Sequence, residues 1–229
     1  MNAMILAAGL GLRMRPITLT LPKPLVPVAG RTMLDRVLDH LDQAGAARKI
    51  INLHWLGETI RSHLDGQPDI LFSEEPELLE TGGGVAKALP LLGTEPFFVC
   101  NADIIWTDGE EPALARLTRA FDPARMDGLL LLQPVATAFG YDGQGDFHLG
   151  GDERLSRRQP GETTPLMFAG VQILHPSLFE AHPGGAFSLN VLYDKAIAAG
   201  RLFGLVHDGG WYHIGMPAAL AEAEALLGS

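Results

Sequence analysis

A glycine- and arginine-rich turn near the N-terminus contains the first residues that could do chemistry. The turn is AAGLGLRMRP, residues 7–16, and it follows a short apolar run. Gly9 and Gly11 let the backbone turn sharply and bring its N–H groups close to an anion. Arg13 and Arg15 offer planar guanidinium donors that suit phosphate oxygens. The turn therefore predicts a phosphate-binding site.

This turn differs from two common phosphate-binding glycine loops. A P-loop would need a Gly-Lys-Ser/Thr ending, and the dinucleotide fingerprint would need a glycine where this chain has Met14. Further along, Lys23 lies between Pro22 and Pro24. Because proline fixes its backbone φ angle, less entropy is lost when the lysine is directed at a ligand. We predict that Lys23 and Arg13 bind phosphate groups together.

An aspartate that follows a predicted buried strand could bind a metal ion. Asp103 lies in the segment CNADI, directly after the apolar run FFVC. An aspartate at this place could hold Mg²⁺ between phosphate groups, and Asn101 beside it is predicted to contact the ligand. The single cysteine, Cys100, lies inside the apolar run, which predicts a buried thiol rather than a nucleophile.

Composition and charge narrow the class of partner. A chain of 229 residues with 47% hydrophobic residues can bury the core of one large α/β domain. Its net charge of −10 argues against a nucleic-acid partner, although residues 1–34 contain four basic residues and no acidic one. The sequence lacks a run of about 20 apolar residues and a basic leader segment. We expect a cytoplasmic protein that binds small anions, with no membrane partner, and a monomer is compatible with the sequence.

The hydrophobic pattern alternates between strands and helices. AMILAA, KIINLH, ILFSE and FFVCN read as strands, and helical patterns separate them. This order predicts a Rossmann-like, mostly parallel α/β sheet with helices on both faces. Ligands of such sheets bind beyond the carboxyl ends of the strands. The loops after Ala8, Glu74 and Asn101 should therefore meet at one edge. Later in the chain, the turn-rich residues 141–164 predict a small inserted β subdomain.

Several motifs together resemble those of one enzyme family. LAAGLGLRMRPITLTLPKPLVPVAG is similar to the signature of sugar-phosphate nucleotidylyltransferases, approximately L-A-A-G-x-G-x-R-x-x-P-x-T followed by P-K-P. The resemblance continues through LLETGGGVAKAL, VCNADI, FAGVQIL and GGWYHIGMPAAL, and so spans nearly the whole chain. The short length and the LETGGG form look most like the N-acetylmuramate α-1-phosphate uridylyltransferase branch. The resemblance implies the nucleotide-diphospho-sugar transferase fold as a single domain, residues 1–229, with a nucleotide-binding half (1–121) and a sugar-binding half (122–229).

The resemblance also implies a reaction. A phosphate oxygen of a sugar-1-phosphate would attack the α-phosphorus of a nucleoside triphosphate, and pyrophosphate would leave. Catalysis would consist of positioning and charge neutralisation by Arg13, Lys23 and Asp103. Asp103 would also bind Mg²⁺ or Mn²⁺. The implied nucleotide contacts are Leu6, Ala8, Gly9, Gly11, Glu80, Thr81, Gly83 and Asn101. The implied sugar contacts are Phe168, Gly170 and Asn190.

The chain departs from the family pattern at the second metal ligand. The pattern is approximately W-x-D-[IV]-G-T, and this chain has His213 in place of the aspartate and Met216 in place of the threonine. His213 could bind a softer metal ion, or it could contact phosphate while water or Asp208 completes a Mg²⁺ site. The site could also have lost its activity, or His213 could simply pack beside Trp211.

The residue that grips the sugar phosphate, the substrate pair and the class of protein each have alternatives that the sequence leaves open. The lysine of an E-K-P element, which grips the sugar phosphate in many relatives, is missing; Arg157 or Arg158 could replace it or could be solvated charges. GTP with mannose-1-phosphate and dTTP with glucose-1-phosphate are alternative substrate pairs. A non-catalytic nucleotide-binding protein on the same fold is an alternative of another class. A hydrolase is disfavoured because the sequence lacks a G-x-S-x-G motif.

Overall fold

Strands and helices alternate through most of the chain. We describe residues 1–228 from a computed structural model; Ser229, the last residue of the predicted domain, lies outside the described residues. The strands are β1 (Ala3–Leu6), β2 (Pro27–Val28), β3 (Arg31–Thr32), β4 (Lys49–Leu53), β5 (Ile70–Glu74), β6 (Phe97–Asn101), β7 (Ile104–Trp106), β8 (Gly128–Pro134), β9 (Ala138–Phe139), β10 (Phe147–Leu149), β11 (Leu155–Arg157), β12 (Leu166–Leu174), β13 (Leu202–Val206) and β14 (Trp211–His213). The α-helices are α1 (Met33–Gln43), α2 (Gly57–His63), α3 (Glu80–Leu92), α4 (Ala113–Ala120), α5 (Asn190–Ala198) and α6 (Ala218–Leu227).

A nine-stranded sheet forms the centre of the fold. Its order is β11-β10-β12-β6-β1-β4-β5, with β8 paired to β12 and β13 paired to β8. The four strands β6, β1, β4 and β5 are parallel. In contrast, β12 runs antiparallel to both β6 and β8. The predicted parallel-rich α/β sheet is confirmed, and its antiparallel part belongs to the second half of the chain.

Helices cover both faces of the sheet because the strands bury side chains on both sides. Along β1, Ala3 and Ile5 belong to the core under α1, α2 and α4, whereas Met4 belongs to the core under α3 and α5. Helix α1 begins where the Thr32 hydroxyl accepts a hydrogen bond from the Asp35 N–H at 3.0 Å. None of the helices within residues 1–228 is long and apolar enough to cross a membrane.

Two smaller β elements contain strands from the second half of the chain. Residues 141–164 contain the hairpin of β10 and β11, which joins the main sheet where Phe147 pairs with Leu166. A separate three-stranded sheet has the order β7-β14-β9. In this sheet His213 pairs with Ile104, the residue after Asp103. The fold thus brings the His213 segment next to Asp103, although 110 positions separate them in the sequence.

Candidate functional site

A cleft lies where the parallel strands end. Its volume is about 640 Å³, and residues from the ends of β1, β4, β5 and β6 line it. The loops that topology predicts to meet therefore share one cavity. The predicted site residues on its walls are Leu6, Ala8, Gly9, Gly11, Arg13, Lys23, Glu80, Thr81, Asn101 and Asp103.

A hydrogen bond and a buried side chain fix the conformation of the glycine-rich turn. Gly11 has a φ of +60°, in the left-handed region that favours glycine. Its carbonyl oxygen accepts a hydrogen bond from the Thr18 hydroxyl at 2.7 Å. Met14, where a dinucleotide fingerprint would have glycine, is 1% exposed and packs with Val26 and Ile214. The turn is therefore anchored by an apolar side chain while its backbone faces the cleft.

Lys23 and Asp103 form an ion pair within the cleft. The Lys23 Nζ donates to Asp103 Oδ2 at 2.7 Å, and the lysine side chain is 8% exposed whereas that of the aspartate is 37% exposed. Burial raises the pKa of the Asp103 carboxyl, but the charge and hydrogen bond of Lys23 outweigh this effect and hold the pKa below its ordinary value. Asp103 is therefore a carboxylate at neutral pH.

His213 contacts the arginine of the glycine-rich turn. Its Nε2 lies 3.4 Å from Arg13 Nη2. A guanidinium group has only donors, so this histidine nitrogen is the acceptor and carries no proton. Burial and the Lys23 charge lower the pKa of His213 below its ordinary value, which favours this neutral form. The ring also lies parallel to that of Trp211, with a centroid distance of 6.0 Å.

Asp208, the alternative oxygen ligand, makes other contacts. Its Oδ1 accepts a hydrogen bond from Arg116 Nη1 at 2.5 Å, and it does not line the cleft. Among residues 1–228, no group of three or more His, Cys, Asp and Glu side chains could hold a metal ion. Mg²⁺ is often held by one or two carboxylates together with substrate phosphates. Asp103 fits a site of that kind, in which phosphates and water supply the other ligands.

The start of α3 forms another wall of the cleft. Glu80 has a φ of +59°, which costs a non-glycine residue on the order of 1–2 kcal/mol. Such strain tends to occur at functional positions. The Thr81 hydroxyl accepts a hydrogen bond from the Leu189 N–H at 2.9 Å. This bond connects the wall to Ser188, which also lines the cleft.

Gly83 packs against the segment that precedes α5. Its N–H donates to the Phe187 carbonyl oxygen at 3.1 Å, and it is buried. Gly83 is also absent from the walls of the cleft. The N–H is therefore engaged in packing α3 against the segment before α5, and a nucleotide contact by other backbone groups of Gly83 stays a prediction.

The predicted sugar contacts lie beside the cleft rather than on its walls. Gly170 lies in an irregular part of β12 and packs against Asn101, which does line the cleft. The Phe168 ring packs edge-on against that of Tyr193. Asn190 begins α5, and its Oδ1 accepts a hydrogen bond from Arg157 Nη2 at 2.9 Å.

Arg157 and Arg158 both bind protein groups. Arg157 Nε donates to Asp194 Oδ1 at 2.7 Å. Arg158 donates to the carbonyl oxygens of Gly145 and Glu162, at 3.0 Å and 2.8 Å. The Arg157 bond connects the inserted hairpin to α5. The Arg158 bonds connect residues within the insertion 141–164. They indicate structural roles rather than solvated charges.

Three polar residues on the cleft walls, Asn52, Glu75 and Ser188, are missing from the sequence prediction. Asn52 and Glu75 both line the cleft, and each is 3% exposed. Each lies at or just after the carboxyl end of a predicted parallel strand, the place where ligands bind. That position, together with the polar residue type, is the signal that could have identified them.

The chain is similar in sequence and in fold to known proteins. Residues 3–139 match the family described as MobA-like NTP transferase domain. The chain is 40% identical over 232 residues to an N-acetylmuramate alpha-1-phosphate uridylyltransferase from Caulobacter vibrioides, covering 98% of this chain and 96% of the relative. A protein of the same name from Neisseria meningitidis serogroup B is 39% identical over 235 residues, covering 100% and 99%. The solved structure of a UDP-glucose pyrophosphorylase complexed with UDP-glucose has a TM-score of 0.82 at 18% identity, covering 99% of this chain and 97% of that one, and shows the same fold.

Proposed function

Because the chain belongs to the MobA-like NTP transferase family, we propose that it joins a nucleoside triphosphate to a sugar-1-phosphate and releases pyrophosphate. The substrates that we propose are UTP and N-acetylmuramate α-1-phosphate. Two bacterial relatives of 39–40% identity and nearly full coverage carry that activity in their names. The observation that carries the proposal is the meeting of Arg13, Lys23 and Asp103 in one cleft.

In the proposed mechanism, the glycine-rich turn and the charged side chains of Arg13 and Lys23 bind the phosphates. The backbone of Gly9 and Gly11 and the guanidinium of Arg13 bind the β- and γ-phosphates, while Lys23 neutralises charge at the α-phosphate. An oxygen of the sugar phosphate attacks the α-phosphorus, and the bond to the pyrophosphate oxygen breaks. The reaction needs no covalent intermediate with the enzyme, so positioning and electrostatics account for catalysis.

Asp103 is the residue that would hold a divalent ion. Enzymes of this family use such an ion, and we propose Mg²⁺, with Mn²⁺ as the alternative. Bound by Asp103 and the phosphates, it would neutralise charge on the triphosphate. The role of Asp103 apart from the ion is to hold Lys23 through the 2.7 Å hydrogen bond, so that the ammonium group stays in the cleft.

We assign binding of the sugar-1-phosphate to the second half of the chain. We propose that residues 1–121 bind the nucleotide and that residues 122–229, with the insertion 141–164, bind the sugar-1-phosphate. Gly170 supports this division because it packs against Asn101 and joins the two halves beside the cleft. We propose that Phe168 and Asn190 provide further contacts to the sugar. We also propose that the reaction takes place in the cytoplasm, where nucleoside triphosphates are available.

A grid of substrates tests the proposed function. Pyrophosphate release and product mass are measured for UTP, GTP and dTTP against N-acetylmuramate, mannose and glucose 1-phosphates, each with Mg²⁺ and with Mn²⁺. We expect a product from UTP and N-acetylmuramate α-1-phosphate. A product from another pair would correct the substrates. No product from any pair, with UTP still bound, would indicate a non-catalytic nucleotide-binding protein.

We expect His213→Asp to strengthen the use of Mg²⁺. The wild-type histidine directs Nε2 toward Arg13, whereas an aspartate there would add a hard oxygen ligand near Asp103. One further carboxylate near a cation in a solvated site contributes on the order of 1 kcal/mol. The Mg²⁺ concentration for half-maximal activity should therefore fall about fivefold.

His213→Asn is the control for this measurement because an asparagine can accept from Arg13 without adding charge. Its half-maximal Mg²⁺ concentration should stay near that of the wild type. A wild type that prefers Mn²⁺ or Co²⁺ to Mg²⁺, with the preference reversed in His213→Asp, would instead make His213 a metal ligand.

A further inference from the structure

Asn52 and Glu75 connect two walls of the cleft through three hydrogen bonds. The Ala7 N–H donates to Asn52 Oδ1 at 2.7 Å. The Asn52 side-chain amide donates to Glu75 Oε1 at 2.7 Å. The second Glu75 oxygen, Oε2, accepts from the Leu79 N–H at 3.0 Å. We call this chain of bonds from Ala7 to Leu79 the Asn52–Glu75 bridge.

The bridge contains a buried carboxylate whose partners are neutral. Glu75 is 3% exposed, and its two oxygens accept from an amide and from a backbone N–H. Burying a carboxylate is costly even when it is hydrogen-bonded, and an apolar side chain would cost less. General stability therefore does not explain why an ionisable residue stands here. Its position beside the cleft suggests a role in binding.

Helix α3 packs directly on the bridge. A Cβ atom added at Gly84 would lie 2.7 Å from Glu75 Oε1 and 2.9 Å from Asn52 Nδ2, closer than real side chains approach. The glycine thus lets the helix backbone rest against both side chains. The two side chains of the bridge are thus closely packed, and each is 3% exposed.

The bridge holds the residues that directly precede two nucleotide-facing segments. Ala7 is the first residue of the glycine-rich turn and directly precedes Ala8, and Leu79 precedes Glu80 at the start of α3. Ala8 and Glu80 line the cleft from different elements. The length of the bridge therefore sets the distance between these two walls.

We propose that Asn52 and Glu75 are positioning residues for the nucleoside triphosphate. This inference rests on the proposed function, which assigns both walls to the nucleotide. Walls held at a fixed distance do not have to be ordered when the ligand binds, so binding costs less free energy. Loss of the bridge should weaken nucleotide binding while the sugar-1-phosphate, which contacts the other half of the chain, binds as before.

A reciprocal exchange tests the bridge. Asn52→Asp alone places two carboxylates against each other and removes the donor to Glu75. Glu75→Gln alone keeps the size of the side chain but directs one amide group at another. In the double variant, the new amide at position 75 can donate to the new carboxylate at position 52. The bonds from the Ala7 and Leu79 N–H groups are also kept, so all three hydrogen bonds are restored with the middle one reversed.

The measurements are the Kd for UTP without the second substrate, the KM for each substrate, kcat and Tm. We expect Asn52→Asp to raise the UTP Kd and KM about 30-fold and Glu75→Gln to raise them about tenfold, the scale of a hydrogen bond to a charged group. The double variant should return to within about threefold of the wild type. The KM for the sugar-1-phosphate should change by less than about twofold in all three variants.

Thr164→Val is the matched control for stability. The Thr164 hydroxyl makes a buried hydrogen bond to the Phe147 carbonyl oxygen in the inserted hairpin, outside the cleft. This variant should lower Tm without changing the UTP Kd. Wild-type UTP affinity in both single variants would overturn the proposal, as would equal effects on both substrates or a double variant weaker than either single one.

These outcomes are separate from failure of the proposed function. If the wild type uses another nucleotide, the same comparison is made with that nucleotide. If no substrate pair reacts, the UTP Kd alone still decides whether the bridge positions the nucleotide. A wild type that binds none of the three triphosphates would contradict both proposals. Should Asn52→Asp fail to fold, Glu75→Gln and the double variant give the same comparison.

Discussion

Asp103→Asn should lower kcat/KM about a thousandfold. Asp103 is the carboxylate in the cleft that would hold the divalent ion, and it also holds Lys23 at 2.7 Å. Asp103 acts on the developing negative charge through the divalent ion and the Lys23 ammonium that it holds, and loss of such charge stabilisation costs about 10²–10³ in rate. Steady-state rates at saturating Mg²⁺ measure the effect.

Asp208→Asn provides the control for Asp103→Asn. Asp208 pairs with Arg116 and does not line the cleft, so its loss should change kcat/KM by less than about threefold. Equal losses in the two variants would mean that Asp208 completes the metal site. An Asp103→Asn enzyme that keeps more than a tenth of the wild-type rate would contradict the assignment of Asp103 itself.

Lys23→Met should lower kcat about a hundredfold or more and should change the pH dependence. The methionine keeps an apolar stem of similar shape but has no charge for the α-phosphate, and such a charge is worth about 10²–10³ in rate. Lys23 also holds the pKa of Asp103 below its ordinary value. Without the Lys23 charge, burial raises the pKa of Asp103, so this carboxylate becomes protonated at a higher pH. The acid limb of the pH–rate profile should therefore move to higher pH.

Lys87→Met is the matched control for the loss of a lysine charge. The Lys87 Nζ donates to the Glu74 carbonyl oxygen at the surface, and Lys87 does not line the cleft. Its rate and acid limb should match those of the wild type. A Lys23→Met enzyme whose rate falls without any movement of the acid limb would show that Lys23 does not control the ionisation of Asp103.

Several residues on the cleft walls could be predicted because the signals for them are local. Gly9 and Gly11 permit a turn that exposes N–H groups, and the prolines beside Lys23 restrict its backbone. Asp103 follows a strand whose apolar run is visible in the sequence. The alternation of strands and helices predicts a doubly covered sheet, which brings the three loops to one edge. These features need only neighbouring residues and the general rules of α/β folds.

Strand direction in the second half could not be predicted in the same way. The strand β12 reads as a continuous apolar run because both of its faces are buried. Such a run carries no information about direction, so the antiparallel pairing of β12 with β6 appears only in the structure. The environment of Gly83 could not be predicted for a related reason. Its N–H is bonded to Phe187, 104 positions further along the chain.

The family, the α/β architecture and the residue types of the proposed phosphate-binding groups could be read from the sequence, because residue type and short spacing carry that information. Which of these groups touch each other is visible only in the folded chain. Lys23 meets Asp103 across 80 positions and Arg13 meets His213 across 200. The Asn52–Glu75 bridge likewise joins residues from three separate segments. Hydrogen bonds and ion pairs act over a few ångströms, and only the packed sheet brings such distant residues within that range.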